Sequence, residues 1–309
     1  MRGIDIARAY YEQFGAPMLH EQFPELLPQL TAGLVGSGSE CFGFDDELSH
    51  DHDFAPGFCL FIPDTLDSRT EFRLERAYAR LPREFMGLSR PLIAQAGRRG
   101  VIRTGDFYRT HTGSPTGPAD RQAWLSIPDS ALAEAVNGEI FAAGDSDFMR
   151  IRQALLSMPE DVRLKKLAAH LALMAQGGQY NYTRCLAHGE EGAAQLALYD
   201  FVIHTLAASF LLSRRFCPFY KWAFRGLRSL PRLCELADPL TFLLTCENTP
   251  ALAEAKAGIV ADIAALVIAE LKEQGITRAD CGDLGSHARS VNDAISDPLL
   301  RNLHLLAGA

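Results

Sequence analysis

The chain has 309 residues, of which 48% are hydrophobic, so it can bury a sizeable core in one large domain or two ordinary ones. Its formal net charge of −8 argues against a general nucleic-acid binder, although a local basic pocket is compatible with it. The sequence has no run of 18 apolar residues and opens without an apolar signal-peptide core, so we expect no association with a membrane. Seven cysteines without regular spacing fit reduced thiols, and we expect a cytoplasmic protein.

The first 145 residues mix helical patterns with short apolar runs. A stripe of apolar residues at helical spacing predicts helix over residues 4–30. Residues 84–100 look like a loop, and so do residues 138–148, where we place a domain boundary after residue 145. Apolar runs predict three strands, at residues 30–35, at residues 57–62 and from Val101. Further helices are predicted over residues 66–81 and 124–136.

From Met149 onward the pattern is almost entirely helical, with breaks at proline, glycine or asparagine. Pro159, followed by Glu160 and Asp161, is typical of a helix N-terminus. The sequence therefore predicts an α+β protein: a small mixed α/β domain at residues 1–145, followed by an antiparallel helical bundle at residues 146–309.

A glycine-serine turn and a pair of carboxylates stand out in the first domain. Gly36 and Ser37 follow the first apolar run, and Asp51 and Asp53 precede the second at i, i+2 spacing, which places both on one face of an extended segment. Two carboxylates that close together favour a cation between them, and Mg²⁺ prefers oxygen ligands and phosphates. A glycine-serine turn can offer N–H groups and a hydroxyl to phosphates. Together these features predict a site for a metal-chelated nucleotide.

This combination resembles the signature of the nucleotidyltransferase superfamily, which includes DNA polymerase beta and the aminoglycoside nucleotidyltransferases. Residues 43–54 also resemble a narrower bacterial family that is known only as a domain of unknown function. Residues 176–184 and 213–222 resemble the same narrower family, so the similarity spans roughly residues 30 to 300.

The resemblance implies a nucleotidyltransferase-like domain that moves a nucleoside monophosphate from a nucleoside triphosphate to a hydroxyl acceptor. One or two Mg²⁺ ions would bind Asp51 and Asp53, while Gly36 and Ser37 would hold the terminal phosphates. The acceptor, a small molecule or a macromolecule, is not identified by the resemblance.

A third carboxylate normally completes such a site and activates the attacking hydroxyl. The run that begins at Val101 contains no acid, and Asp106 is the nearest catalytic candidate beyond it. Glu139 or Asp161 could substitute, because some antibiotic-modifying relatives take their base from the second domain. The missing acid favours the main alternative, a degenerate nucleotide-binding or interaction protein that keeps the fold without turnover.

Two segments of the second domain are candidates for nucleotide contact. Arg214, Arg215 and Lys221 form a basic cluster, and both lysine and arginine bind phosphate well. Tyr180, Asn181 and Arg184 could read an acceptor or a base. The basic cluster also has a purely structural interpretation, as solvated surface charge beside an aromatic face that packs into the core.

Two other classes are weaker alternatives. His52-Asp53 could be the adjacent pair of an HD-type phosphohydrolase, with His111, His170 or His204 as further ligands, but a strand rather than a helix follows it. Gly36-x-Gly38 resembles a dinucleotide-binding turn, but Cys41 occupies the third glycine position.

Overall fold

The computed structural model describes residues 1–46, 55–90 and 99–309. The chain forms two compact units, the first from residues 1–119 and 131–157 and the second from residues 120–130 and 158–309. Compared with the predicted domains, residues 146–157 lie with the first unit and residues 120–130 with the second.

The predicted α+β class is confirmed, because a small mixed sheet in the first unit accompanies many helices. The described residues contain six strands: β1 (Thr31–Leu34), β2 (Cys59–Ile62), β3 (Glu84–Phe85), β4 (Leu88–Ser89), β5 (Gly100–Arg103) and β6 (Glu139–Ala143). All three predicted strands are present. The sheet has the strand order β5-β2-β1-β6, and β3 and β4 form a separate two-stranded hairpin.

Strand directions bring four chain segments to one edge of the sheet. β1 runs antiparallel to both β2 and β6, and β5 runs parallel to β2. In the register, Gly33 faces Cys59 and Leu34 faces Glu139, while Cys59 faces Gly100. The end of β1 therefore lies at the same edge of the sheet as the beginnings of β2, β5 and β6. We call this the Gly36 edge, after the residue that follows β1 there.

Three local predictions were wrong. Residues 138–148 were predicted to be a break, but they contain β6. Residues 84–100 were predicted to be a loop, but residues 84–89 form a hairpin whose turn residues, Met86 and Gly87, both have positive φ. The helix predicted over residues 124–136 is two helices, α6 (Arg121–Leu125) and α7 (Asp129–Val136), separated around Pro128.

Helices cover both faces of the sheet, and aromatic side chains fill the two layers. On one face Phe58 packs edge-on against Tyr78, with ring centroids 4.9 Å apart. On the other face Phe61 stacks on Phe148 at 3.9 Å. β2 is buried along its whole length, as expected of a strand covered on both faces. The other helices of this unit are α1 (Gly3–Tyr10), α2 (Ala16–Gln22), α3 (Ser39–Phe42), α4 (Ser68–Ala79), α5 (Thr104–Thr112) and α8 (Asp147–Leu156), with a π-helical turn at Tyr11–Gly15 and a 3-10 segment at Pro24–Gln29.

The second unit is helical, as predicted. The helices after α8 are α9 (Glu160–Met174), α10 (Tyr182–Ala187), α11 (Glu191–Leu212), α12 (Tyr220–Leu227), α13 (Ala237–Thr245), α14 (Pro250–Glu273), α15 (Leu284–Asp293) and α16 (Pro298–Arg301), with a π-helical segment at Ala175–Asn181 and a 3-10 turn at Cys234–Leu236. Within the described ranges, α11 is the one helix that is long and apolar enough to cross a membrane, and 67% of its apolar window is buried inside the protein. It packs against α9, α10 and α13, which is the environment of a core helix.

Candidate functional site

The turn that follows β1 is held in one conformation by a side chain from elsewhere in the first unit. Gly36 and Gly38 have φ values of +105° and +132°, which residues with a Cβ rarely adopt. The Asn137 amide donates to the Gly36 carbonyl oxygen at 2.7 Å and accepts from the Gly36 N–H at 2.8 Å. The Gly36 N–H is therefore already engaged, and the predicted phosphate contact at this turn depends on other groups.

The Ser37 hydroxyl is also engaged, by a carboxylate that sequence reasoning missed. It donates to Glu134 Oε2 at 2.7 Å, and the same oxygen lies 3.7 Å from Nδ1 of His111. Burial lowers the pKa of His111, while the Glu134 charge acts in the opposite direction. No local pattern could have identified Glu134, because it lies on an ordinary helix, α7, almost a hundred residues after Ser37.

A buried cation lies behind the same turn. Arg152, on α8, donates from Nη2 to the Asn137 carbonyl oxygen at 2.8 Å. Its Nη1 is buried without a hydrogen-bond partner among the described residues. Burial lowers the pKa of Arg152, because a guanidinium loses water contacts there. The positive charge therefore lies close to the backbone that supports Gly36.

An ion pair borders the turn on the side of α3. Arg99, just before β5, lies 3.4 Å from the Glu40 carboxylate, and both side chains are largely buried. A Cβ at Gly38 would lie 2.8 Å from that carboxylate, so the glycine also makes room for Glu40. Arg98, which precedes Arg99 in the sequence, lies outside the described residues.

The predicted metal ligands Asp51 and Asp53 lie outside the described residues, and so do His50 and His52. The described chain resumes at Ala55 and enters β2 at the Gly36 edge. Within the described ranges, no group of three or more potential ligands has the geometry to hold a metal ion.

The structure separates the three candidates for a third carboxylate. Asp106 lies in the first turn of α5, beyond the end of β5 and thus at the edge of the sheet opposite to Gly36, where it is exposed and pairs with Arg109 at 2.7 Å. Glu139 begins β6 at the Gly36 edge and forms an ion pair with Arg8. Asp161 accepts backbone hydrogen bonds at 2.9 and 3.1 Å within the second unit. The structure therefore brings Glu139, and not Asp106, to the edge that carries Ser37.

The predicted contacts of the second unit fall into two clusters. Arg214 pairs with Glu160 at 2.8 Å, Arg215 is exposed, and the Lys221 ammonium lies 5.2 Å from the centre of the Trp222 ring. In the other cluster, Arg184 donates to the Tyr180 hydroxyl at 3.1 Å and lies over its ring. Asn181 ends the π-helical segment that carries Tyr180, and π-helical turns are frequent at functional sites.

The histidines of the phosphohydrolase alternative divide between the units. Nδ1 of His170 lies 3.0 Å from Nδ1 of His204 in the second unit, whereas His111 belongs to the first. Burial lowers the pKa of His170 to about 3 and also lowers that of His204. These two rings are therefore a neutral pair that shares one hydrogen bond, with His170 buried and His204 half-buried.

Comparison with known families supports one part of the resemblance, the relation to a family known only as a domain of unknown function. A family model described as "Domain of unknown function (DUF4037)" matches residues 124–223, about one third of the chain. The match includes both candidate clusters of the second unit and also Glu134. Searches of curated proteins and of solved structures each returned no match.

Proposed function

We propose that the protein is a Mg²⁺-dependent nucleotidyltransferase that moves a nucleoside monophosphate from a nucleoside triphosphate to a hydroxyl acceptor. The observation that carries the proposal is the strand arrangement at the Gly36 edge. There the Gly36-Ser37 turn leaves β1 beside the start of β2, the strand that Asp51-x-Asp53 precedes in sequence. The antiparallel pairing of β1 with β2 supports the proposal, because it brings the turn that would bind phosphate close to the start of the strand that follows the two carboxylates in sequence.

The proposed reaction assigns a separate role to each residue of the site. Asp51 and Asp53 would hold the Mg²⁺, which supplies charge stabilisation for the attacking and leaving oxygens. Ser37 would donate its hydroxyl to a terminal phosphate oxygen, an acceptor of the same kind as the carboxylate oxygen that it contacts now. Glu139, at the same edge, would accept the proton of the attacking hydroxyl. Positioning and charge stabilisation would supply most of the acceleration.

The second unit offers further candidates for contact with the nucleotide. Arg215 and Lys221 are exposed cations suited to phosphate. Tyr180 and Arg184 form an exposed ring-guanidinium pair on which a base could stack, with Asn181 beside them as a hydrogen-bonding group. The seven cysteines are all free thiols, which supports a cytoplasmic location as part of the proposal.

A protein that binds nucleotide without turnover is the alternative that a specific observation favours. β5 carries no acid, and Asp106 lies at the opposite edge of the sheet. In this case the metal and the triphosphate would bind, but no pyrophosphate would be released.

A thermal-shift screen separates these possibilities. ATP, GTP, CTP and UTP are each added with Mg²⁺ and with EDTA. A ligand present at 100 times its dissociation constant should add about 2.7 kcal/mol of stability, and only with the metal. Asp51→Asn combined with Asp53→Asn should abolish that shift while the protein stays folded. If no triphosphate moves the melting temperature in Mg²⁺, the proposal is wrong, and a shift without pyrophosphate release identifies the non-catalytic alternative.

A further inference from the structure

The first unit carries five exposed arginines in a row along α4, which we call the α4 row: Arg69, Arg73, Arg76, Arg80 and Arg83. The first four have i, i+4, i+7, i+11 spacing, which places them on one side of a helix with 3.6 residues per turn. The fourth is the C-terminal cap of α4, and the fifth follows the end of the helix. At 1.5 Å per residue, the helical part of the row is about 17 Å long.

The sequence places like charges next to one another along this row. Each arginine on the helix has another arginine three or four residues away and has no acid at either distance. Like charges at these spacings destabilise an isolated helix. The helix is held in place by its opposite side, where Leu74 and Tyr78 are buried against the sheet. A bound partner with a row of negative charges would remove the repulsion.

Carboxylates do not offset this charge in the part of the chain that the structure describes. None of the five guanidinium groups forms an ion pair or a hydrogen bond there. Glu71 pairs with Arg103 of β5 instead, and Glu75 lies about 130° around the helix from the middle of the row. Glu84 is exposed in β3 and is the third acid of residues 69–84. With five arginines and three glutamates, this segment has a charge of +2 in a chain whose net charge is −8.

One exposed aromatic ring lies beside the row. Phe72 is 56% exposed, and the guanidinium of Arg76 lies 5.8 Å from the centre of its ring. Arg73 lies in a similar way over the ring of Phe23, but that ring is buried. Phe72 and Arg76 therefore form an exposed platform on which one base can stack.

The row leads towards the edge of the sheet that carries the Gly36-Ser37 turn. In the first turn of α4, Glu71 pairs with Arg103 at the end of β5, which is the edge opposite to Gly36. In the last turn, the Tyr78 hydroxyl donates to the Phe58 carbonyl oxygen at 2.7 Å, directly before β2. A linear polymer bound along the row therefore extends towards the Gly36 edge.

We infer that the α4 row binds single-stranded nucleic acid, with the arginines on the phosphates and Phe72 beneath a base. Proteins that bind single strands combine cations that follow the phosphates with aromatic rings on which bases stack, and α4 presents both. Arginine also matches phosphate geometry, because it can donate two parallel hydrogen bonds.

Other polyanions fit this surface less well. The bases of a duplex are stacked on one another and offer no face to Phe72. A membrane requires an exposed apolar face, whereas the apolar face of α4 is buried against the sheet. An acidic protein would leave the ring unused. The preference for a nucleic acid over an acidic protein also rests on the proposed function, because the row leads towards the proposed nucleotide site.

Strand binding is measured with full-length protein and a fluorescein-labelled 12-nucleotide DNA strand, followed by anisotropy. The buffer contains EDTA and no triphosphate, so failure of strand binding and failure of the proposed transfer reaction are separate results. Parallel titrations use RNA of the same sequence, the DNA duplex, polyglutamate and phosphatidylserine vesicles. The single strands should bind more tightly than the duplex, the polypeptide or the vesicles at the same salt concentration.

Two variants test the two parts of the surface. Arg69→Gln with Arg80→Gln removes charges that, unlike those of Arg73 and Arg76, lie over no aromatic ring of the described residues. The slope of log K against log[salt] should become less negative by about 1.4, since a single strand contributes about 0.7 per phosphate neutralised. If affinity at 1 M salt is unchanged, binding at 0.1 M should be about 25-fold weaker. Phe72→Ala should weaken single-strand binding at least fivefold and leave duplex binding within twofold of wild type, because only an unpaired base can stack on the ring.

The matched control is Arg109→Gln with Arg150→Gln, which makes the same change in net charge in the same unit. Each of these exposed arginines pairs with an aspartate three residues earlier, at 2.7 and 2.9 Å. The control should change strand binding less than twofold. Melting curves verify that every variant is folded, and if Phe72→Ala does not fold, the comparison of strand with duplex decides on stacking.

Four results would overturn the inference. The first is absence of binding to the DNA and RNA strands at low salt. The second is an unchanged salt slope in the Arg69 and Arg80 variant, which places the strand elsewhere. The third is equal affinity for duplex and single strand with no effect of Phe72→Ala, which means attraction to phosphates without stacking. The fourth is tighter binding of polyglutamate or vesicles than of the strands, which makes the partner an acidic protein or a membrane.

Discussion

Replacing Glu134 with glutamine should strengthen triphosphate binding. In the structure the Ser37 hydroxyl donates to Glu134 Oε2 at 2.7 Å, and a phosphate oxygen would have to accept from the same hydroxyl. Glutamine keeps an oxygen that can accept this hydrogen bond, so the turn retains its support. The substitution removes the negative charge of Glu134, which would otherwise repel a phosphate that approaches Ser37.

The size of the effect follows from the geometry. Two acceptors around one hydroxyl lie about 4 Å apart, and two unit charges at that distance repel by about 4 kcal/mol at an effective dielectric constant near 20. The Glu134 side chain is 25% exposed and His111 lies 3.7 Å away, so solvent and the imidazole reduce this repulsion. We expect a gain of about 1.4–2.8 kcal/mol, which is a ten- to a hundred-fold increase in affinity.

The assay is titration calorimetry of a non-hydrolysable triphosphate in Mg²⁺. Glu12→Gln, an exposed site in the same unit, makes the same change in net charge and should leave the affinity within twofold of wild type. Ser37→Ala completes a double-mutant cycle, because the effect of Glu134→Gln should shrink when the shared hydroxyl is absent.

An unchanged or lower affinity in Glu134→Gln would refute this reasoning. Lower affinity would mean that the carboxylate assists binding, for example as a metal ligand. An effect that persists in full without the Ser37 hydroxyl would mean that the phosphate does not bind at this turn.

Four further substitutions test the packing and hydrogen bonding of the two units. Asn137→Ala leaves both backbone groups of the turn unpaired and should cost about 1–3 kcal/mol in urea denaturation for each group that stays buried. Burial holds the pKa of His170 near 3 in the folded state, below the ordinary value of about 6.5, so the unfolded state binds more protons and stability falls as the pH drops below 6.5. His170→Gln should remove about 2–3 kcal/mol of that fall by pH 4.5, measured by urea denaturation across this range. Gly178→Ala would place a Cβ 2.4 Å from the ring of Phe201 and should cost about 1–3 kcal/mol, whereas Gly258→Ala on α14 meets nothing within 4 Å and should stabilise by about 0.5–1 kcal/mol, both measured by thermal denaturation.

The strands differ in how well the sequence predicts them, and glycine explains the difference. β2 is fully buried and reads as an uninterrupted apolar run. β6 is flanked by Gly138 and Gly144, and glycines at this spacing in a sequence are typical of a loop. In the structure both are packing contacts, because a Cβ would lie 1.9 Å from the Leu34 carbonyl oxygen at the first position and 2.1 Å from the Pro28 carbonyl oxygen at the second. A glycine needed for close approach and one needed for a turn look the same in a sequence.

The same limit applies to the candidate site. The turn itself could be predicted, because Gly36 and Gly38 need positive φ values and the signal is local. The side chains that contact the turn, Glu134 and Asn137, come from the end of α7, and those that contact these two residues in turn come from α5 and α8. All of them lie about 70 to 115 residues later in the sequence. Glu134 and Asn137 come within reach of the turn only when β6, which follows them, pairs with β1 in the sheet. A single sequence contains no signal for such contacts.

The hydrogen bonds that the turn already makes give a reason to expect that triphosphate binding requires a metal. The Gly36 N–H is satisfied by Asn137, and the Ser37 hydroxyl is satisfied by Glu134. A phosphate at Ser37 would exchange one hydrogen bond for another, so the net gain from that bond is close to zero. It would also bring negative charge towards Glu134, which is unfavourable. In the proposed site, a divalent cation on the carboxylates that precede β2 would offset this repulsion. Triphosphate binding should therefore depend on Mg²⁺ in the wild type and depend on it less in Glu134→Gln.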